Sequence, residues 1–410
     1  MTKQGSRGRK GISRRACLSR SAAAAATFTI VPRHVLGGPE HTPPSEEIRG
    51  ALIGCGGQGR QSFGNLGKDV KMVAQCDVRF RDKADDKEFY TDFRRVLERD
   101  DIDVVAIATH PGWHALISIA AMESGKDVVC EKPMCRFISE GRAVAAAEKR
   151  YGRVFQIERK GDVRTTARKI FANGLLKQCD SVLITRGGFK LAQWSGRTMY
   201  PVQPVPANLD WDMYCGPAPL RPFNPNRNGG SHRGYWDYDG GGLGDMATHH
   251  IHTPALAYGR DLTHPVEIIP YAPPVHPEAA GMWGWCELKY ADGFTWVLAS
   301  GEWGPEYDRL QPRHTDDAYF LEKLGEEGRR QLKELPELAP LPMFAEAIRT
   351  RQPTGSNAER SHHVAAVFHL ANCAFRCGRP LKFDPVTEQI VGDEEANRLV
   401  NQPMRSPWRL

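Results

Sequence analysis

The sequence predicts an α/β protein of two domains: a parallel, doubly wound sheet with helices on both faces, followed by a domain built on a different kind of sheet. The chain has 410 residues, more than a single hydrophobic core usually serves. From Ile48 onward, short apolar runs alternate with helical segments, as in parallel sheets. After about residue 160 the strands lengthen and alternate in polarity, which indicates a sheet with two unlike faces.

The first domain, residues 46–160, contains five predicted strands. They are the apolar runs 51–53, 72–76, 104–108, 127–130 and 154–157. Helical periodicity covers residues 114–123 and 138–150, and each of these segments ends at a glycine. A further, short helix is expected between Arg79 and Tyr90. Because repeated strand–helix–strand units form right-handed crossovers, the strands are expected to be parallel.

The second domain, residues 161–410, has fewer and longer predicted elements. Alternating strands are expected over 181–187, 283–290 and 294–301, and a helix with a strong apolar face over 362–377. The intervening loops are rich in Trp, Tyr, Asn and Pro. No stretch is long and apolar enough to predict a membrane span.

Residues 1–45 are interpreted as a leader and linker. They hold eight basic residues and one acid, a formal charge of +7, so a total of +6 leaves −1 for the remaining chain. The body therefore has no basic run for nucleic-acid phosphates, and no such partner is expected. Arg14 and Arg15 precede an apolar segment, 22–31, that is typical of a twin-arginine export signal and predicts the periplasm or cell envelope. The alternative is a disordered basic tail.

Neither the cysteines nor the histidines predict a metal site. The ten cysteines lack metal-ligand spacing, and most are interpreted as small buried residues. His249, His250 and His252 form the one cluster that could bind a divalent cation. On a helix with about 3.6 residues per turn these three side chains point in different directions, so no metal is expected.

A glycine fingerprint after the first strand predicts a dinucleotide site. It consists of Gly54, Gly56, Gly57, Gln58 and Gly59. The first glycine allows a tight turn, the second a close approach of the pyrophosphate, and the third close helix–strand packing. Asp77, at the end of the second strand, would accept both adenosine ribose hydroxyls and so favours NAD, although the nearby Arg79 and Arg81 leave NADP possible. The alternative is a purely structural turn.

A second motif lies at the end of the fourth strand, where open parallel sheets place their ligands. It is Glu131-Lys132-Pro133. Together with the glycine fingerprint, Leu209-Asp210-Trp211-Asp212 and Gly242-Leu243-Gly244-Asp245-Met246, it resembles the Gfo/Idh/MocA oxidoreductase family. The resemblance covers nearly the whole chain and is greatest for the secreted bacterial branch.

This resemblance implies a Rossmann domain followed by an α/β domain with a large open, mainly antiparallel sheet, through which family members associate as homodimers or homotetramers. It also implies hydride transfer between NAD(P) and a hydroxyl carbon of a sugar, cyclitol or related polyol. Thr109, His110 and His114 then border the nicotinamide, with His110 where the family usually has proline. Glu131 and Lys132 complete the predicted cofactor-binding set.

The resemblance implies three catalytic residues, Lys132, Asp245 and His249. Oxidation of an alcohol requires a base for the hydroxyl proton, and a histidine suits that role near neutral pH. Lys132 could stabilise the developing negative charge on oxygen. Asp245, one helical turn before His249, could orient the imidazole. The alternative is that Asp245 and His249 are only a surface pair.

Five residues are candidate substrate contacts, of which Trp211 and Trp236 are expected in loops near the open end of the second sheet and Trp113 in the loop that borders the nicotinamide. They are Trp113, Arg197, Trp211, Trp236 and His250. Aromatic rings could stack on sugar faces, but ordinary packing of the loops explains them equally well.

Three functions remain open. The first is a sugar or polyol dehydrogenase with tightly bound NAD, since the free cofactor is scarce outside the cytoplasm. The second is a glycoside-cleaving enzyme that oxidises the sugar transiently with the same bound NAD. The third is a cofactor-bound sugar-binding protein without turnover, against which the joint presence of Lys132, Asp245 and His249 argues.

Overall fold

The structure is a computed structural model that describes residues 47–79, 88–157, 165–176, 182–185, 200–281, 284–299, 317–339, 341–342 and 344–410. Within it, Ile48–Leu410 form one compact unit. The leader, Arg81, Arg197 and the predicted domain boundary at residue 160 lie outside the described residues. Those parts of the prediction stay predictions.

The first sheet has six parallel strands in the order β3-β2-β1-β4-β5-β6. Their bounds are β1 Ile48–Ile53, β2 Val70–Cys76, β3 Phe89–Tyr90, β4 Val104–Ile107, β5 Asp127–Cys130 and β6 Phe155–Ile157. All five predicted strands are present. The expectation of a helix ending at Tyr90 was wrong, because the last two residues of that segment pair with β2 as strand β3.

The helices of the first domain flank this sheet. They are α1 Gly57–Gly64, α2 Phe93–Leu97, α3 His114–Glu123 and α4 Ile138–Tyr151. Gly152 ends α4 in the left-handed conformation, with φ 60°, as its position after the periodic segment predicts. Strands β4 and β5 of this sheet are wholly buried, so their apolar runs are continuous rather than alternating.

The second sheet is mainly antiparallel, which confirms the fold class. Its order is β12-β11-β8-β9-β10-β7, and only β7 and β10 pair in parallel. The strands are β7 Val182–Thr185, β8 Glu267–Tyr271, β9 Trp285–Lys289, β10 Thr295–Ala299, β11 Leu381–Asp384 and β12 Gln389–Ile390. Strands β8, β11 and β12 were not predicted. β8 contains a proline, β11 contains two charged residues and β12 has only two residues, so their apolar signal is weak.

Seven further helices are described. They are α5 Thr165–Ala172, α6 Trp211–Cys215, α7 Gly241–Ala257, α8 Asp317–Glu334, α9 Phe344–Thr350, α10 Ala358–Cys377 and α11 Glu394–Val400. Helix α10 contains the predicted segment 362–377 but begins four residues earlier, where the Asn357 side chain accepts a hydrogen bond from the Arg360 amide. It packs on α4, α7 and β8, and so joins the two sheets. None of the helices described is long and apolar enough to cross a membrane.

An ion-pair network links α4 and α10 to the turn between β11 and β12. Glu388 in that turn accepts hydrogen bonds from His362 Nε2 at 2.8 Å, His264 Nε2 at 3.1 Å and Arg142 Nη2 at 2.6 Å. Arg142 also pairs with Glu359 at 2.9 Å. Burial favours the neutral carboxyl, but these hydrogen bonds outweigh it and hold the pKa of Glu388 well below its ordinary value.

Candidate active site

The turn after β1 is built around two glycines that tolerate no side chain. Gly54 has φ +93°, and a Cβ there would lie 2.5 Å from the carbonyl oxygen of Ala108. A Cβ on Gly59 would lie 2.0 Å from the carbonyl oxygen of Gly54. These two positions therefore bring α1 hard against the end of β1, as the fingerprint predicts.

The start of α1 is open on the side away from the sheet. A Cβ on Gly56 or Gly57 would meet nothing within 4 Å. Gly56 is the N-cap of α1, and no side chain there accepts a hydrogen bond from the first amides. Backbone amides free at a helix N-terminus form a site for a phosphate group.

Asp77 follows β2 and closes the other side of the turn. Its Oδ2 accepts a hydrogen bond from the Cys55 amide at 2.9 Å, and its Oδ1 accepts one from the Arg79 amide at 3.0 Å. Each carboxylate oxygen keeps one lone pair for a further donor. The carboxylate is thus fixed in place and can still accept ribose hydroxyls. The Arg79 guanidinium, meanwhile, donates to Asn228 Oδ1 at 2.9 Å.

Glu131 connects the end of β5 to α1. Its Oε1 accepts hydrogen bonds from Gln58 Nε2 at 2.8 Å and from Ser62 Oγ, and its Oε2 accepts from the Lys132 amide at 3.2 Å. These hydrogen bonds fix the position of the glycine turn relative to the Lys132 backbone. Gln58 therefore has two roles: it belongs to the glycine turn, and its side chain helps to fix the Glu131 carboxylate.

Lys132 and Asp245 meet across the two domains. Lys132 Nζ lies 2.5 Å from Asp245 Oδ1 and donates also to the Asp245 carbonyl oxygen at 3.2 Å. Arg233 Nε lies 3.2 Å from the same Oδ1. Burial favours the neutral acid, but the two cations outweigh it and lower the pKa of Asp245. Asp245 is therefore a carboxylate, and a protonated Lys132 keeps one N–H for another acceptor.

Asp239 and His232 stand beside this pair. Asp239 is fully buried, and neither of its carboxylate oxygens has a hydrogen-bond partner among the described residues. His232 Nε2 lies 3.6 Å from Asp239 Oδ2. Burial, with Asp245 nearby, raises the pKa of Asp239 to about 7. Burial also lowers the pKa of His232 to about 4.

His110 and His114 shape the loop after β4. His110 Nε2 donates to the Tyr214 carbonyl oxygen at 2.6 Å while its Nδ1 accepts from the Gly112 amide, and burial lowers its pKa to about 3. His114 Nδ1 lies 2.6 Å from the Pro133 carbonyl oxygen, and its Nε2 lies 3.1 Å from that of Thr109. His114 thus joins the Thr109 loop to the Lys132 loop from behind.

These residues enclose one cavity of about 350 Å³. The glycine turn, Asp77, Thr109 and His110 line one part of it. Lys132, Asp245, Asp239, His232 and Arg233 line another. The remaining described lining residues include Arg79, Phe93, Trp113, Glu131 and Tyr214. The predicted cofactor-binding residues, apart from His114, therefore meet in one space with Lys132 and Asp245.

Other predicted site residues lie elsewhere. His249 is exposed on α7, one turn after Asp245, and neither it nor His250 is among the described residues that line the cavity. Trp211 stacks on Tyr214 and donates to the Arg221 carbonyl oxygen at 2.7 Å. The Arg376 guanidinium lies over Trp236, with its Cζ 4.1 Å from the centre of the Trp236 ring. The structure thus assigns packing contacts to both tryptophans, while Trp113 packs on Trp408 and reaches the cavity wall.

Sequence reasoning missed Asp239, His232 and Arg233. All three lie outside the recognised motifs, in or just after the segment Gly229–Gly234, which forms 3-10 helix in front of α7. One signal could have found Asp239, since it directly precedes the glycine run that opens α7. No signal of this kind marks His232 or Arg233, because only the fold brings them to Lys132.

Two family models match this chain. One, described as "Oxidoreductase family, NAD-binding Rossmann fold", matches residues 48–159. The other, "Oxidoreductase family, C-terminal alpha/beta domain", matches residues 161–410. The chain belongs to the Gfo/Idh/MocA oxidoreductase family. The first sheet and the helices that flank it accordingly form an NAD-binding Rossmann domain.

Curated relatives of this oxidoreductase match over a limited stretch. A glycosyl hydrolase family 109 protein of Solibacter usitatus is 32% identical over 116 residues, 24% of this chain and 26% of that protein. Levoglucosan dehydrogenase of Pseudarthrobacter phenanthrenivorans is 34% identical over 115 residues, 27% of this chain and 28% of that protein. The chain thus covers about a quarter of the length of these relatives.

A solved structure matches over most of the chain. The WlbA dehydrogenase of Chromobacterium violaceum, in complex with NADH and UDP-GlcNAcA, has a TM-score of 0.53. The match covers 83% of this chain and 96% of that one at 15% identity. At this identity the likeness shows the shared fold.

Proposed function

We propose that this protein is an NAD-dependent oxidoreductase that transfers hydride to or from a hydroxyl carbon of a sugar, cyclitol or glycoside. The observation that carries the proposal is the single cavity in which the glycine turn and Asp77 face the Lys132–Asp245 pair. A dinucleotide and a small polar substrate can share this space. Bound there, NAD would supply the hydride acceptor.

The residues of the first domain fit a dinucleotide. Gly56 and Gly57 leave open space in front of the uncapped amides of α1, which suits a pyrophosphate. Asp77 retains acceptor capacity for ribose hydroxyls and would repel a 2′-phosphate. Arg79 is hydrogen-bonded to Asn228, which occupies part of its guanidinium. These contacts favour NAD over NADP.

Lys132 is the residue best placed to bind the reacting oxygen. Two of its three N–H groups point to the carbonyl and carboxylate of Asp245, so its ammonium is held in one orientation. The remaining N–H can donate to a substrate hydroxyl and stabilise negative charge on that oxygen. Asp245 orients the Lys132 ammonium through these two hydrogen bonds. The role of His249 as the base that removes the hydroxyl proton stays a prediction, since His249 is not among the described residues that line the cavity.

A second function, redox-assisted cleavage of a glycoside, is favoured by one finding. The chain is similar to proteins named as glycosyl hydrolase family 109 and, in Shewanella oneidensis, as α-N-acetylgalactosaminidase, the latter 33% identical over 116 residues, 24% of this chain and 25% of that protein. In this reaction the bound NAD would be reduced and then reoxidised within one turnover. A sugar-binding protein without turnover is the least favoured function, because it has no need for an oriented Lys132.

We further propose that the leader directs export by the twin-arginine route to the periplasm or cell envelope, with the cofactor already tightly bound. The protein would act there as a homodimer or homotetramer. Replacing both Arg14 and Arg15 with lysine should retain the protein in the cytoplasmic fraction. Light scattering on the purified protein gives the oligomeric state. Export that does not depend on the two arginines would contradict the proposed route. A monomer in solution would contradict the proposed oligomer.

The first test of the function is cofactor release. Denaturing the purified protein should liberate NAD(H), identified by absorbance and mass; an empty protein that also fails to bind added NAD(H) would contradict the proposal. A panel of sugars, cyclitols and glycosides should then include one that reduces the bound cofactor. Cleavage of a glycoside without accumulation of NADH would identify the second function.

Lys132→Met should lower the rate of cofactor reduction by at least about 100-fold, because the substrate oxygen loses its charged hydrogen-bond donor. NAD should still bind, since Lys132 Nζ contacts Asp245 rather than the glycine turn. The matched control is Lys68→Met, at an exposed lysine between α1 and β2, which should keep the wild-type rate. Undiminished turnover in Lys132→Met would remove Lys132 from the mechanism.

A further inference from the structure

A second acidic group lies in the cavity wall without a cation of its own. Asp239 precedes the N-cap of α7 and is fully buried. Both of its oxygens lack a hydrogen-bond partner among the described residues, whereas Asp245 binds Lys132 and Arg233. Burying a carboxylate without a hydrogen-bond partner is unfavourable in free energy. The protonated, neutral form of Asp239 is therefore favoured in this position.

His232 offers a place for that proton. Its Nδ1 faces the carbonyl oxygen of Gly229, which can only accept, so Nδ1 carries the ring hydrogen. The neutral ring then presents a lone pair on Nε2. That atom lies 3.6 Å from Asp239 Oδ2, one small side-chain movement from a hydrogen bond.

The charges around the pair determine how strongly it holds the proton. Asp245 opposes a second negative charge on Asp239, while Lys132, Arg233 and Arg136 favour one. Around His232, Arg233 and His114 oppose a positive charge and Asp245 favours one; His232 in turn opposes a charge on His110. Burial dominates both groups, raising the pKa of Asp239 to about 7 and lowering that of His232 to about 4. Between about pH 4 and about pH 7 the pair therefore holds one exchangeable proton, half of which is lost by about pH 7.

We propose that Asp239 and His232 hold one exchangeable proton in the cavity wall and donate it to a departing glycosidic oxygen of the substrate, separately from the oxygen bound by Lys132. The inference rests on the proposed function and favours its glycoside-cleaving form.

The proton balance is simple. Bound NAD would accept the hydride of the ring carbon, and the hydroxyl proton would pass to the predicted base, His249. The proton on the carbon next to the ketone would then pass to water, and its electron pair would form a C=C bond as the C–O bond beyond it breaks. The electron pair of that bond stays on the departing oxygen, which takes one proton from Asp239. Water would then add across the C=C bond and restore the proton on the neighbouring carbon, while Asp239 would regain its proton from solvent. The bound cofactor would supply the hydride that returns the ketone to a hydroxyl. Lys132 and Arg233 are close enough to stabilise the Asp239 carboxylate that the proton leaves behind.

The first test separates oxidation from cleavage. Asp239→Asn keeps the shape of the side chain but cannot give up a proton; His232→Gln removes the acceptor. In both variants, cleavage of a glycoside should fall at least about 100-fold, and at least about tenfold further than oxidation of the matching free sugar by bound NAD. The alkaline limb of the wild-type pH–rate profile for cleavage, expected near pH 7, should be lost in Asp239→Asn. The control is Asp100→Asn, at an exposed carboxyl after α2, which should behave as wild type.

The second test needs no turnover, so it stands even if the proposed function fails. A carboxyl group whose pKa is raised on folding binds its proton more tightly in the folded state. Folding stability should therefore fall as the pH rises from about 4 to about 7, and Asp239→Asn should remove this loss. At about pH 8 we expect Asp239→Asn to have a higher melting temperature than wild type. At about pH 4 the two melting temperatures should be equal. Infrared spectra should show a protonated carboxyl at about pH 6 that Asp239→Asn lacks.

Two results would overturn the inference. One is an Asp239→Asn protein that is less stable than wild type at alkaline pH, as for a carboxylate paired with a cation. The other is glycoside cleavage with an unchanged rate and pH profile in both Asp239→Asn and His232→Gln.

Discussion

Gly59 packs against the carbonyl oxygen of Gly54 so closely that the two backbones touch. This contact fixes the angle at which α1 leaves the sheet, and with it the position of the amides that face the cavity. Gly56 and Gly57 differ from Gly59, since a side chain on either would project into open space. The fingerprint thus combines glycines required by the fold with glycines left open to a ligand.

Gly59→Ala should therefore lower the free energy of unfolding by about 1–3 kcal/mol, because the new methyl group must push α1 from β1. Binding of NAD should weaken in parallel. Chemical denaturation and a titration with NAD measure the two effects.

Gly64→Ala is the matched control, at the last residue of the same helix, where a Cβ would meet nothing within 4 Å. It should leave NAD binding unchanged and raise stability by up to about 1 kcal/mol, since alanine favours the helix. Equal losses in the two variants would contradict the role assigned to Gly59.

At the scale of elements, the network around Glu388 attaches the turn between β11 and β12 to helices α4 and α10. Glu388 is 13% exposed and accepts from Arg142, His264 and His362, while Glu359 is 44% exposed and shares Arg142. Glu388 also has φ 53°, a conformation that side chains other than glycine seldom adopt. The network thus holds the turn in a strained backbone.

Glu388→Gln should lower the free energy of unfolding at pH 7 by about 3 kcal/mol, because Arg142 and two histidines lose a mostly buried anionic partner. Glu359→Gln should cost less than about 1 kcal/mol, since that pair is largely solvated. Urea denaturation of both variants measures the difference. Similar costs for the two would show that burial does not determine the strength of this network.

The elements themselves were predicted to different degrees. The five main strands of the first sheet and helices α3 and α4 were predicted correctly because their apolar pattern is strong and their ends carry glycine. Strands β8 and β11 were missed because they are short and carry Pro270 or charged residues such as Lys382. They exist through pairing with neighbours rather than through local propensity.

For the whole molecule, the cavity depends on both halves of the chain. Lys132 and Asp77 follow strands of the first sheet, while His232, Asp239 and Asp245 lie between β7 and β8 of the second sheet, in helix α7 and the segment before it. Helix α10 packs against α4 and α7 and holds these halves together. A ligand that occupies the cavity therefore stabilises the entire unit Ile48–Leu410.

NAD added to cofactor-free protein at about 100 times its dissociation constant should add about 2.7 kcal/mol to the free energy of unfolding. The unit should melt in a single transition at a higher temperature, which differential scanning calorimetry measures. NADP at the same concentration should give a smaller shift because of Asp77, and Asp77→Ala should reduce this difference. A larger shift with NADP than with NAD would contradict the assigned preference.

The fold class and the glycine turn could be predicted from the sequence alone, and Lys132 could be named from it as a candidate catalytic residue. These features are local: a strand, its turn and the next helix are contiguous, and the requirement for glycine at positions 54 and 59 is set by backbone contacts within the motif and with the neighbouring strand β4. Which distant side chains share the cavity follows from the three-dimensional fold and not from any local pattern. In the fold, Trp211 and Trp236 pack against neighbouring side chains, and His114 does not line the cavity. Asp239 and His232 line the same cavity as Lys132. Burial and charge at those positions arise from residues far apart in sequence, so no local pattern records them.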